Sequence, residues 1–329
     1  MMSKKALLPA IALAALALVF LLSPIPNWGG QDWPRGATLT CIVPWQAGGS
    51  ADSMARQLIR YWEPILGARI IVDNREGKAA LTGTKLFLSQ PADGNCLFVG
   101  TQMYLSAGTA LQDGGYDIAD FDVINFQQFD PITIVVRKDS PFLDFEQLAE
   151  ELGKRPGELK CGMVPGGASH IAAELIRERL GLEWRNVVYD SGNTYRLALL
   201  SGRVDFAFSN ANGDRTIKDQ ARVLAVADDR RSAIWPEAPT FNEALGVNDF
   251  PPLGSARFIA VHANVRKNWP ERFEKLVDTY RRSFEHPEYL RFRQMTNEAE
   301  VSAYIGPEKS NRLNRELHDL LVRYRDKLK

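Results

Sequence analysis

Short apolar runs alternate with amphipathic stretches, and the alternation occurs twice along the chain. "TLTCIVPW" reads as a buried strand, and "DSMARQLIRYWEPIL" has apolar residues at helical spacing. "ARIIVDN" is a second strand, "LTGTKLFLSQP" a short helix stopped near Pro91, and "NCLFVGT" a third strand, followed by a long loop around "GGYD". Strand, helix, strand, helix, strand is the signature of a parallel sheet with helices on its faces. The pattern then restarts: "DPITIVVRKDSP" is a strand, "DFEQLAEELGKRP" a helix capped by Asp144, and "LKCGMVPGGASHIAAELIRERLGL" a strand, glycine turn and helix. "WRNVVYDSGNTYRLALLSGRVDFAFSNA" gives strand, loop, helix and strand, and "ARVLAVADD" one strand more.

Two such sets fit a chain of 329 residues, which is long for one ordinary domain. The end of the chain, from "SARFIAVHANV" through two long helical segments, carries no third set and is expected to return to the first lobe. The reading is therefore an α/β protein of two lobes. Lobe 1 is discontinuous, residues 36–132 and 255–329, and lobe 2 is 133–254.

The amino terminus, residues 1–35, reads as an export segment and linker. "MMSKK" precedes the apolar run Ala6 to Leu22 and the breakers "SPIPNWGG". The A-x-A cleavage pattern is poor and the run lies within the range for a spanning helix, so a cleaved signal peptide and a retained membrane anchor both stand. Either way the remainder is exported, with the periplasm as its expected location.

Lys plus Arg equals Asp plus Glu at 40 each, and no block of like charge points to nucleic acid. Cys41, Cys96 and Cys161 stand far apart inside apolar runs and read as buried small hydrophobes, with one disulfide as the alternative. Neither a metal spacing nor a G-x-x-x-x-G-K-[ST] phosphate loop occurs, and no cofactor is expected.

The chemistry is concentrated in two related turns. "VPWQAGGSADSMARQL" (Val43 to Leu58) and "VPGGASHIAAEL" (Val164 to Leu175) each run from Val-Pro through a Gly-Gly pair into an amphipathic helix. A helix start presents unsatisfied N–H groups and partial positive charge, and glycine lets an anion approach the backbone. Such turns lie at the carboxyl ends of parallel strands, where ligands bind in open α/β sheets. One on each lobe suggests a cleft that grips an anionic ligand from both sides. "GTQMY" (Gly100 to Tyr104) and "YDSGNT" (Tyr189 to Thr194) are loops that could complete it, and simple N-capping is the alternative for the latter's Ser191, Gly192 and Asn193. A hydrolase built on Ser169 and His170 is the weaker alternative, since Ile171 occupies the place where G-x-S-x-G needs its last glycine. Arg56, Arg60, Arg177 and Arg179 read as solvated helix faces.

The order of "IVPWQAGGSADSMARQL", "IIVDNREGKAALTGTKLFLSQPADGNCLFVGT", "GGASHIAAEL" and "GRVDFAF" resembles that of the tripartite tricarboxylate transporter receptors, the Bug-type extracytoplasmic solute receptors. The resemblance covers nearly all of the exported chain. It implies a two-lobed periplasmic binding protein, type II-like, that closes on a small mono- or dicarboxylate and delivers it to membrane permease subunits, without catalysis or metal. A sensor that binds an acid and contacts a signalling protein is the alternative. The family turn "P-F-x-P-G-G-x-x-D" matches Pro44, Trp45, Ala47, Gly48, Gly49 and Asp52, with the carboxylate facing the backbone of Ala47 to Ser50. Gly100 and Thr101 match its Gly-Thr, Gly167, Ser169 and His170 its G-x-x-S-H-type turn, and Asp205 the Asp of its G-x-V-D strand. The expected ligand set is thus Trp45, Ala47, Gly48, Gly49, Ser50, Asp52, Gly100, Thr101, Gly167, Ala168, Ser169, His170, Tyr189, Ser191, Gly192 and Asp205. Three departures bear on selectivity: "DNREGKAA" with Lys78 where the family has "ENRPGAGG", Asp190 in place of a lysine, and Arg257 near a missing aromatic at Ser255.

Overall fold

Strand and helix follow one another as the alternation of apolar runs dictates. The structure, a computed structural model, describes residues 33–189 and 191–328. The export segment, apart from its last residues, and Asp190 lie outside the described residues. The first set is β1 (Thr38–Val43), α1 (Ser50–Leu66), β2 (Arg69–Asn74), α2 (Leu81–Leu88), β3 (Cys96–Thr101) and α3 (Gln102–Ala110). β1 pairs in parallel with β2 and β3. Met54, Ala55, Leu58, Ile59, Trp62 and Leu66 form the buried stripe of α1, and Gly67, with φ of 77°, ends it in the left-handed conformation that glycine adopts without strain.

β4 (Phe121–Arg137) belongs to both halves of the sheet. Its segment from Phe121 to Pro131 pairs antiparallel with a late strand, and Ile132 to Arg137 pair with β7 and β8 of the second set. That set comprises α4 (Phe145–Lys154), β5 (Lys160–Met163), α5 (Ala168–Leu180), β6 (Arg185–Val188), α6 (Gly192–Leu200), β7 (Phe206–Asn210), β8 (Ala221–Val226) and α7 (Phe241–Leu245). β9 (Gly254–His262) brings the chain back beside β3 and β4. The sheet order is β2-β1-β3-β9-β4-β7-β5-β6, with β8 on β4.

The remaining helices are α8 (Asn264–Asn268), α9 (Pro270–Phe284), α10 (Pro287–Met295) and α11 (Gly306–Tyr324). α9 docks on α1, where the Trp62 indole N–H donates to Thr279 at 3.0 Å and its ring meets Tyr280 edge-on at 5.3 Å. Among the described residues no helix is long and apolar enough to cross a membrane. Cys41, Cys96 and Cys161 are buried and unpaired, so the disulfide alternative does not apply to them.

Two sequence expectations change. β4 starts at Phe121 rather than at Asp130, because the polar residues of "FDVINFQQFD" are buried and satisfied. Asn125 donates to the Ala303 carbonyl and to Tyr280, and Gln127 bonds the hydroxyls of Tyr280 and Tyr289, so a segment polar enough to suggest a loop sits in the interior. "GTQMY" is not a loop: Gly100 and Thr101 end β3, and α3 starts at once.

Candidate functional site

The carboxyl ends of β1, β2, β3, β5 and β6 open on one cleft of about 600 Å³. Its walls come from both ends of the sheet: Trp45, Gln46 and Gly49 to Ala51 after β1, Glu76, Gly77, Ala79 and Ala80 after β2, and Thr101, Met103 and Tyr104 at and after the end of β3 supply one side. Val164, Gly167 to Ser169, Ser191, Gly192 and Tyr195 supply the other, with Ile132, Asn210, Gly254, Ser255 and Arg257 between them.

Five helices begin at this cleft, because their N-caps Gly49, Ala80, Thr101, Gly167 and Ser191 all line it. The first four have no side-chain cap. Only Ser191 closes its own helix start, in a capping box with Thr194. Away from the cleft, α4, α7 and α10 are capped by the side chains of Asp144, Thr240 and His286, while α8, α9 and α11 have no side-chain cap. At the cleft the Leu81 and Thr82 N–H groups of α2 bond the Lys78 and Gly77 carbonyls and that of His170 in α5 bonds Gly167, and the other first-turn N–H groups of α1, α3 and α5 carry partial positive charge with which an anion can pair.

The two Gly-Gly turns are braced in the same way. In the first, Asp52, the third residue of α1, reaches back to accept the Gly48 N–H at 2.8 Å. In the second, His170, the third residue of α5, accepts the Gly166 N–H on Nδ1 at 3.2 Å. Both bonded glycines adopt positive φ, 82° at Gly48 and 73° at Gly166, which a side chain would resist. Asp52 also takes hydrogen bonds from Arg56 Nε and Asn74 Nδ2, and Asn74 donates to the Trp45 carbonyl. Burial works against the Asp52 carboxylate, yet the bonds from Arg56, Gly48 and Asn74 prevail and hold it below the usual carboxylate range. Burial and the nearby Arg177 lower the His170 pKa, which keeps the imidazole neutral and able to accept.

Arg257 lies on the sheet at the base of the cleft, paired in register with Thr101 on one side and Gln128 on the other. Its Nη1 donates to Gln128 Oε1 at 3.2 Å. Desolvation lowers its pKa against the attraction of Asp130, Glu298 and Tyr104. Buried Asp130 is pushed up to about 6 by desolvation, which the pull of Arg257 and the Asn212 N–H only partly offsets. Tyr104 meets Trp45 edge-on at 4.9 Å and approaches the opposite turn, where a Cβ on Gly167 would lie 3.5 Å from its hydroxyl.

Of the expected ligand residues, Trp45, Gly49, Ser50, Thr101, Gly167, Ala168, Ser169, Ser191 and Gly192 line the cleft. The others sit elsewhere for identifiable reasons. Ala47 and Gly48 are exposed on the outer side of the turn, and Asp52 is spent bracing it. Gly100 is a packing glycine, since a Cβ there would come within 2.1 Å of the Phe258 ring. His170 is spent on Gly166, and Tyr189 continues the β6 strand end, its N–H on the Met163 carbonyl. Asp205 corrects an expectation outright: it accepts the Lys160 N–H at 2.7 Å at the amino end of β5, the far end of that strand from the cleft. Lys78 is exposed and does not line the cleft. Arg56 is half exposed, as expected, and also pairs with buried Asp52, whereas Arg177 is not a solvated face, because it packs over Trp184 at 4.3 Å while pairing with Glu174. Ser169 Oγ donates to the Val164 carbonyl at 3.4 Å, and no hydrogen bond links it to His170, so the geometry gives the hydrolase alternative no activated nucleophile.

The lining residues outside the expected ligand set are Gln46, Ala51, Glu76, Gly77, Ala79, Ala80, Met103, Tyr104, Val164 and Tyr195, with Ile132, Asn210, Gly254, Ser255 and Arg257 from the crossing strands. The sequence signalled part of them: Met103 and Tyr104 stand in "GTQMY", Glu76 to Ala80 in the departure "DNREGKAA", and Arg257 near Ser255, where the family's aromatic is missing.

Fold and cleft together define a two-lobed solute-binding protein. Residues 54–319 match the family described as "Tripartite tricarboxylate transporter family receptor", and the chain belongs to that family. It is 28% identical over 248 residues to the UPF0065 protein in the tcbD-tcbE intergenic region of Pseudomonas sp. (strain P51), covering 70% of this chain and 72% of that one. It is 28% identical to BugT of Bordetella pertussis, covering 72% of this chain and 74% of BugT. Among solved structures, a TctC solute binding protein from Polaromonas superposes with a TM-score of 0.75 at 21% identity, covering 90% of this chain and 100% of that one. MatC from Rhodopseudomonas palustris with bound malate gives 0.70 at 19% identity, with 89% and 99% covered. An R. palustris protein with adipate gives 0.73 at 24%, with 90% and 97% covered. These structures share the α/β fold.

Proposed function

We propose that the protein is an extracytoplasmic receptor that holds a small carboxylate between its two Gly-Gly turns and hands it to a tripartite membrane permease. The observation that carries this reading is the convergence of four helix starts without side-chain caps, those of α1, α2, α3 and α5, on one cleft. A carboxylate supplies acceptors for the first-turn N–H groups of α1, α3 and α5, whereas in α2 those of Leu81 and Thr82 already bond the Lys78 and Gly77 carbonyls. Each charge-assisted bond contributes about 1.5 to 3 kcal/mol net, so four or five of them support micromolar binding, about 8 kcal/mol.

On this reading lobe 1 is 36–132 with 255–329 and lobe 2 is 133–254, consistent with β4 changing partners between Pro131 and Ile132 and with Gly254 opposite Pro131. Closure of the lobes reports ligand state as shape, which a permease can read. The amino-terminal segment exports the chain, and the periplasm is its place of work. The malate and adipate found in two structural neighbours make small diacids the first candidates.

Native mass spectrometry of the purified protein, followed by thermal melting with malate, adipate and other small acids, tests the reading. A retained acid, or a saturable rise in melting temperature with at least one of them, is the expected result. A protein that retains none and is stabilised by none would refute it.

A further inference from the structure

Arg257 is a half-buried cation with no counter-ion among the described residues. Its one side-chain bond goes to a neutral amide, Gln128, and no described carboxylate lies within ion-pair distance of it. Asp130 and Glu298 attract it from farther away, but Asp130 gives its carboxylate to the Asn212 N–H and Glu298 accepts from Gln57. A half-buried guanidinium with most of its donors unpaired within the described residues is free to bond an anion that enters the cleft. Two other donors in the cleft are also unused. The buried Trp45 indole N–H has no acceptor, and the Tyr104 hydroxyl, against whose ring Trp45 packs, makes no hydrogen bond among the described residues. Burial raises the Tyr104 pKa and nearby Arg257 only partly offsets this, so the hydroxyl is a neutral donor. Among the described residues, the charged ones that line the cleft are this cation and Glu76, and Glu76 is exposed.

The position of Arg257 separates it from the helix starts of the two Gly-Gly turns. In the strand order, β3 lies between β9 and β1, and β4 and β7 lie between β9 and β5. At about 4.8 Å per strand, the root of Arg257 is about 10 Å across the sheet from the β1 turn, and the β5 turn is farther, because β7 and β5 pair with β4 beyond Ile132 while Arg257 faces Gln128. A guanidinium reaching into the cleft spans part of that distance, and the rest is on the scale of a short carbon chain.

We propose that Arg257, with Tyr104 and Trp45, forms a side-chain subsite for a second anionic group of the ligand, distinct from the group held by the helix N–H donors, and so selects doubly charged acids over singly charged acids of the same length. This rests on the receptor reading given above. Arg257 is then the specificity determinant, and its planar fork suits a carboxylate held in two-point fashion.

Calorimetric titration of the full chain with succinate, glutarate and adipate, and with butyrate, pentanoate and hexanoate, tests it. The wild-type protein is expected to bind at least one diacid about tenfold or more tighter than the monoacid of equal length. Arg257→Gln should lower diacid affinity about ten- to a hundredfold, the effect of one charge-assisted contact, and leave the monoacid within about threefold. Tyr104→Phe, which leaves the half-buried charge in place, should lower diacid affinity about threefold and decides the matter if Arg257→Gln does not fold. A wild type that binds monoacid and diacid alike, or variants that keep the full diacid preference, would overturn the subsite and leave the receptor reading standing. Failure of every acid in both series to bind the wild type would overturn both.

Discussion

The two glycine turns share a plan and differ in what braces them. Each has an N-cap glycine, uncapped N–H groups and a third-residue side chain bonded to the glycine before the cap. In the first turn the brace is a buried carboxylate fixed by Arg56 and Asn74, and in the second it is a neutral imidazole. A carboxylate at a helix start neutralises part of the positive field that an acid would use, whereas an imidazole leaves it intact. The first turn is therefore built for rigidity, and the second retains more of its attraction for an anion.

The largest effect is expected from Asp52→Ala. It removes an acceptor shared by Gly48, Arg56 and Asn74, and because Arg56 is half exposed and can rehydrate, the cost is about 2 to 3 kcal/mol rather than that of a fully buried pair. Urea unfolding measures it, and a loss below about 0.5 kcal/mol would mean that the turn holds its shape without the carboxylate.

His170→Ala should cost about 1 kcal/mol at pH 8, the worth of one hydrogen bond. This contribution depends on pH with a definite sign. Because the folded-state pKa of His170 lies below the unfolded value, the unfolded chain binds the proton more readily, so the contribution is complete above about 6.5 and is lost as the pH falls toward the folded pKa. The stability gap between wild type and His170→Ala should close on acidification from pH 8 to pH 5. The gap for Asp52→Ala should persist through the same interval, because the Asp52 pKa is held low. Parallel loss of both gaps would erase the distinction between the braces.

The smallest effect concerns the third wall of the first side. Lys78, Ala79 and Ala80 have φ of 48°, 50° and 79°, a left-handed run without glycine, and Ala79 and Ala80 face the cleft. Ala80→Gly relieves steric cost there of about 1 kcal/mol and adds unfolded-state entropy, so a net stabilisation of a few tenths of a kcal/mol is expected by thermal melting. A clear destabilisation would show that packing of the Ala80 methyl outweighs the strain.

The alternation of apolar runs and helical spacing made most strands and helices legible, and the repeated Val-Pro to Gly-Gly pattern located both turns. Local pattern failed where tertiary partners decide the outcome. Asn125, Gln127 and Gln128 hid the first half of β4, because only their burial against α9 to α11 and β9 makes them interior residues. Asp205 and Asp52 were read as ligand contacts from motif position, but both accept backbone N–H groups, Asp52 within the first glycine turn and Asp205 at the end of β5 away from the cleft. Ile132, Asn210 and Arg257 meet only where the strands cross, a juxtaposition that no sequence spacing encodes.

Central to the account is one acid held by both turns at once. A crystal structure of the protein grown with adipate, or with whichever acid stabilises it most, measures this directly. The prediction is electron density for the acid in the cleft, with carboxylate oxygens at about 3 Å from N–H groups of the first turn of α1 and of α5 together. Acid bound outside the cleft, or held by one turn while the other remains free, would contradict it.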